Sequence, residues 1–272
     1  MATHLILGCG YLGRVVAGHW LASGHPVAAL TRSRTADLQA LGVEPILGDV
    51  TDPASLRLPP ADTVLYAVGL DRSAGKGMRE VYVGGLTSVI DALPAPRRFI
   101  HVSSTSVYGQ TDGGWVDESS PTEPTEESGR IVLECEQLLL SRLPHATVLR
   151  FAGIYGPGRV IRRAAVEKGE PLAADPDGWL NLIHVEDGAS AVVAAADRAV
   201  EGQTINVADD RPVSRREFYT TMAELLGAPP AAFTPGSGGG SNRRVGNRRM
   251  RESLGVALTY PDFRGGLRQA IG

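Results

Sequence analysis

The chain has 272 residues, 43% of them hydrophobic and 21% charged, with a net charge of −3. That size fits an α/β domain with a small lobe, and the charge balance gives no pull toward nucleic acid or an anionic membrane. Two cysteines, Cys9 and Cys135, argue against a disulfide framework or a metal cluster; no apolar run reaches a membrane span, and no basic segment with an apolar core opens the chain.

His4-Leu5-Ile6-Leu7 reads as a buried first strand. Gly8, Gly10 and Gly13 follow at the spacing G-x-G-x-x-G. Gly8 allows a tight turn, Gly10 lets backbone N–H groups approach a pyrophosphate, and Gly13 lets the next helix pack on the strand. That helix runs from Tyr11 to about Ser23, with its positive end toward the phosphates. Strand, turn and helix stand in the required order, so Gly8, Cys9, Gly10, Tyr11, Leu12 and Gly13 are candidate dinucleotide contacts. An ordinary glycine-rich turn is the alternative.

Residues 26–31 read as a second strand, followed by Arg32, Ser33 and Arg34. An acid at this point would take the ribose 2′-OH of NAD, whereas an arginine accommodates the 2′-phosphate of NADP. Arg32 therefore favours NADP over NAD; a solvated basic turn is the other reading. A third strand at 44–47 ends in Gly48-Asp49-Val50-Thr51-Asp52, and a fourth at 62–68 ends in Val68-Gly69. A helix over 78–93 is stopped by Pro94-Ala95-Pro96, and 98–102 is a fifth strand. Strands alternating with helices imply a Rossmann-type, doubly wound parallel sheet. Its ligands sit beyond the carboxyl ends of the strands, where Asp49, Val50, Val68, Gly69 and Ser103 onward fall.

Residues 110–128 are polar and read as a loop over the cleft. A helix from 129 or 130 to 143 and a sixth strand at 146–151 follow. Gly153–Arg159 breaks the pattern. A short helix near 160–168, a strand at 180–185, a helix at 186–200 and a strand at 203–207 come next. Ser214 and Glu217 form a capping box for a helix to Leu226. Residues 235–242 read as a flexible loop. Arg243, Arg244, Arg248, Arg249 and Arg251 then form either a solvated face or a contact for a phosphate-bearing ligand; nucleic acid is disfavoured because no aromatic platform accompanies them. The expected division is a dinucleotide domain at 1–153 plus 180–200, and a small C-terminal substrate lobe at 154–179 plus 201–272.

The sequence resembles the extended short-chain dehydrogenase/reductases, the NAD-dependent epimerase/dehydratase family. The likeness rests on Gly8–Gly13, Gly48–Asp52, Val102–Gly109, Arg150–Gly158 and Ile183–Asp187. It implies that Ser104 hydrogen-bonds the reacting oxygen of a substrate. The family also uses Tyr-x-x-x-Lys at the start of the next helix, and this chain has none. Ser128 and Val132 stand at those two positions. The pattern Ser128-Gly129-Arg130 is similar to an atypical bacterial subgroup, and Arg130 is a candidate for the missing positive charge. Tyr108 and Tyr155 are the first substitute proton donors, with Glu126, Glu127 and His184 behind them. The resemblance implies an NAD(P)-dependent oxidoreductase or epimerase-like enzyme acting on a small molecule, with a nucleotide- or phosphate-bearing one among the options. A non-catalytic NADP-binding sensor or assembly protein is the alternative. A cytoplasmic monomer or homodimer, without nucleic-acid or membrane partners, is expected.

Overall fold

A computed structural model of the chain describes residues 4–198, 200–235 and 241–272. Seven parallel strands form the central sheet: β1 (His4–Leu7), β2 (Val27–Thr31), β3 (Glu44–Leu47), β4 (Thr63–Tyr66), β5 (Arg98–Ser104), β6 (Thr147–Phe151) and β7 (Thr204–Val207). Their order is β7-β6-β5-β4-β1-β2-β3, so the sheet winds outward in both directions from the β1–β4 pair. This is the Rossmann-type doubly wound fold, and the crevice for ligands lies at that switch point. The central strands are apolar on both faces because helices cover both. β1 and β4 are buried along their whole length, whereas the edge strand β3 is half exposed and tolerates Pro45.

Helices α1 (Tyr11–Ala22), α2 (Thr35–Ala40), α3 (Gly85–Ala92), α4 (Glu127–Arg142), α5 (Arg163–Glu167), α6 (Val185–Asp197), α7 (Arg215–Leu226) and α8 (Phe263–Ile271) complete the frame. On one face Val16 and Ala17 of α1 pack with Ala189 and Val192 of α6. On the other, Leu86 and Val89 of α3 meet Cys135 and Leu139 of α4. The helix expected over 78–93 opens with a π-helical turn, Glu80–Gly84. Helices α2 and α8 were not expected from the sequence.

A third core, built on Val166, Leu172, Phe218, Met222, Phe263 and Leu267, forms the small lobe. The boundary expected within 201–272 needs correction. Thr204–Val207 pairs with Val148–Phe151 as an edge strand of the main sheet, and Met250, Leu254 and Val256 pack into the core under α1 and α6. Ile205 and Val207 are fully buried in that core. Residues 153–155, expected to break the pattern, pair in parallel with Leu182–His184. The segment 110–128, expected to be a loop over the cleft, contributes no residue to the cleft lining and contains a short strand, Trp115–Val116, that pairs with Arg244–Val245. Of the expected loop at 235–242, residues 236–240 lie outside the described residues. Among the described residues no helix is long and apolar enough to cross a membrane.

Candidate functional site

A cleft of about 810 Å³ opens over the carboxyl ends of β1, β2, β4 and β5. Every predicted dinucleotide contact lines it: Gly8, Cys9, Gly10, Tyr11, Leu12, Gly13, Arg32, Asp49, Val50, Val68 and Gly69. The three glycines differ in what they are for. Gly8 has φ +99°, and a Cβ there would lie 2.4 Å from the Ala67 carbonyl oxygen. A Cβ on Gly13 would lie 2.7 Å from the Gly8 carbonyl oxygen. Both glycines are demanded by the protein's own packing. A Cβ on Gly10 would meet nothing within 4 Å. The chain itself does not require glycine at 10; the space beside it belongs to whatever enters the cleft. Gly10 is also the N-cap of α1, with no side-chain cap and no acid in the first turn. The positive helix end therefore faces the cleft uncompensated, which suits a pyrophosphate.

The end of the cleft beyond β2 is rich in cations. Arg32, Arg34 and Lys76 line it, and the Arg32 guanidinium lies 2.5 Å from the Asp71 carboxylate. Asp49 accepts from the Thr51 N–H at 2.8 Å and the Thr51 hydroxyl at 2.7 Å. Burial acts to raise the Asp49 carboxyl, but these bonds, with the charges of Arg32 and Lys76, leave it below the ordinary value. These residues fit the adenosine half of a dinucleotide.

At the other end β5 delivers Ser104 to the cleft wall. Its Oγ accepts from the Ser106 N–H at 3.1 Å, which orients the side chain and leaves the hydroxyl hydrogen free to donate. His101 and Val132 line the same region. His101 is buried, and burial pushes its imidazole down to about 4, so it is neutral at pH 7. Apolar Val132 thus occupies the wall where the family resemblance puts a lysine.

The substitute acids are placed elsewhere. Tyr108 is buried behind the cleft, donating to Asn206 Oδ1 at 2.9 Å and accepting from Arg150 at 3.0 Å. Tyr155 is buried in the lobe core, edge-on to His184. His184 is itself fully buried, and its Nδ1 caps α6 by accepting from the Glu186 N–H. Glu126, Glu127 and Ser128 are exposed at the start of α4. Glu127 and Ser128 line a separate depression with Met78 and Arg79. Arg130 donates to the Thr125 carbonyl and does not line the cleft. None of these side chains reaches the Ser104 end.

The arginine cluster disperses. Arg244 lies between Trp115 and Trp179, 5.1 Å from each ring centroid, so an aromatic platform does accompany it. Arg249 faces Glu118 and Arg251 faces Asp210; Arg248 is exposed near Glu252. Arg243 alone of the five lines the cleft. Sequence reasoning also missed the buried cluster behind Ser104, where Glu136 accepts from Arg150 at 2.7 Å and from the Ser103 hydroxyl at 2.5 Å. Its signal was Arg150 inside an otherwise apolar strand; Glu136, between Glu134-Cys135 and Gln137, gave none.

Fold and cleft together define a dinucleotide-binding α/β protein. The sequence profile of the NAD dependent epimerase/dehydratase family matches residues 4–208, and the chain belongs to that family. It is 33% identical to Protein YeeZ of Escherichia coli (strain K12), covering 94% of this chain and 96% of that protein. It is 28% identical to a 3-diazoavenalumate denitrifying reductase of a Streptomyces species, over 93% of this chain and 98% of the relative. The solved structure of MoeE5 in complex with UDP-glucose and NAD superposes with a TM-score of 0.81 at 24% identity, covering 99% of this chain and 97% of that one, and shares the fold.

Proposed function

We propose that this protein is an NADP-dependent oxidoreductase of the epimerase/reductase type, acting on a small molecule held at the Ser104 end of the cleft. The observation that carries the reading is Gly10: a glycine that its own chain does not need, at an uncapped helix end, in a cleft whose adenosine end is basic. Gly8–Gly13 and the first turn of α1 would hold the pyrophosphate, Asp49 and Val50 the adenine side, and Arg32 the 2′-phosphate. A bound nicotinamide dinucleotide supplies hydride transfer. Ser104 donates its hydroxyl to a substrate oxygen and fixes the substrate's orientation. Val132 and the neutral His101 add no charge of their own to the wall beside it. The reductase among the relatives and the NAD complex of MoeE5 support the class of chemistry.

A second reading is an NADP-binding protein without turnover. It is favoured by Val132 in the cleft wall and Ser128 outside it, where the resemblance expects a catalytic lysine and tyrosine. Fluorescence titration with NADPH, together with native mass spectrometry of the protein as isolated, tests binding. Oxidation of bound NADPH by a panel of small carbonyl compounds, lost in Ser104→Ala with NADPH affinity unchanged, supports the enzyme. Failure to bind either nucleotide overturns both readings.

A further inference from the structure

We propose that Arg243 is an oxyanion-binding residue at the Ser104 end of the cleft, and that the substrate carries a carboxylate or phosphoryl group there. The proposal rests on the reading of this cleft as a dinucleotide and substrate site, and names the substrate's chemical class.

Arg243 is 6% exposed and sits in the cleft wall with Ser104, Thr105 and Ser106. Its Nη2 donates to the Thr105 carbonyl oxygen at 2.6 Å. Its Nε and Nη1 are sealed from solvent and have no acceptor among the described residues. No carboxylate among the described residues pairs with it. Three other cations of the cleft are arranged differently. Arg14 faces Asp37, Arg32 faces Asp71 and Lys76 faces Glu80, all at least a third exposed. Water screens those charges, and each has a partner.

A buried guanidinium with a lone carbonyl partner is costly. Desolvating a charge carries a penalty of several kcal/mol, recovered only through a counter-charge and further hydrogen bonds. Burial pushes the Arg243 guanidinium below its ordinary value, yet arginine does not give up its proton near neutrality. The charge persists, and an anionic partner is the one that best offsets its burial. Arg243 lines the cleft, and the hydroxyl-bearing Ser104 and Ser106 line it too. An oxyanion seated among them gains charge-assisted bonds from the guanidinium and neutral donors from the serines. Val132 brings no positive charge to this end, whereas Arg243 does.

The test is an NMR titration of the full-length, ¹⁵N-labelled protein, with and without saturating NADP⁺, using acetate, inorganic phosphate and, as a neutral control, acetamide. The Arg243 Nε–H resonance is assigned by its loss in Arg243→Lys. The expected result is a saturable shift of that resonance by an anion at millimolar concentration and none by acetamide. Acetate acting more strongly indicates a carboxylate, phosphate a phosphoryl group. Arg243→Gln should weaken the anion's binding about tenfold or more, as measured at neighbouring amides. If Arg243→Gln does not fold, the wild-type titration alone decides. No anion-dependent shift in either arm overturns the proposal and leaves Arg243 as a staple to Thr105. NADP⁺ affinity, read in the same samples, reports separately on the dinucleotide reading.

Discussion

The Arg32 guanidinium and the Asp71 carboxylate meet at 2.5 Å at the edge of the cleft, joining the segments that follow β2 and β4, two strands that are not neighbours in the sheet. The Ser73 side chain and Arg32 together hold the Asp71 carboxyl down to about 2, so the pair stays charged throughout the neutral range. A 2′-phosphate arriving at Arg32 competes with Asp71. NADPH should bind more tightly than NADH, and Arg32→Ala should remove roughly tenfold or more of that preference. Asp71→Asn should leave NADPH affinity unchanged or raise it by at most about fivefold, because the pair is exposed and screened. Equal wild-type affinities for the two nucleotides in a fluorescence titration would remove the assignment of Arg32.

The glycine turn separates folding from binding. Gly10→Val projects into open space, so the variant should fold with a Tm close to wild type and lose nucleotide binding. Gly8→Ala should do the reverse damage: its φ of +99° and the close Ala67 carbonyl make a side chain strained, at a cost of about 1–3 kcal/mol or more in unfolding free energy. A Gly10→Val protein that binds NADPH normally would reduce residues 8–13 to a structural turn.

The Glu136–Arg150 pair is buried on both sides, with side chains 3% and 8% exposed. Glu136→Gln should cost about 3–5 kcal/mol, since it leaves the guanidinium uncompensated in the interior. Replacing both residues by Met should cost much less than the single change. Urea denaturation of the three proteins checks this; equal losses for the single and double variants would show that the pair acts only by filling space.

Acid stability should carry the signature of His101. Its ordinary value is near 6.5 and burial lowers it to about 4, so the unfolded chain binds the proton more readily than the folded one. Stability from this site is therefore full above pH 6.5 and is lost as pH falls from 6.5 toward 4, by roughly 3 kcal/mol in total. Denaturant midpoints measured at pH 7 and pH 5 should differ less in His101→Gln than in wild type. An unchanged pH slope in the variant would assign the acid sensitivity to other groups, such as His4 and His184, which burial also lowers.

The sequence by itself determined the dinucleotide half of the protein. β1, the glycine turn and α1 are consecutive, so hydrophobic run, turn chemistry and helix start all lie within about twenty residues. Alternation of buried strands with helices then places Arg32, Asp49, Val68 and Gly69 at one sheet edge, because every parallel strand ends on the same side. Tertiary structure alone decided the chemistry at the other end. Tyr108, four residues past Ser104, turns inward to Asn206 and Arg150, while Arg243, far along the chain, reaches Thr105. Nothing local in Arg243-Arg244 tells one arginine that it will be buried in a cleft and the next that it will lie between Trp115 and Trp179. Those fates depend on contacts across more than sixty residues of chain, where burial and partner choice are set by how the lobe packs on the sheet rather than by neighbouring residues.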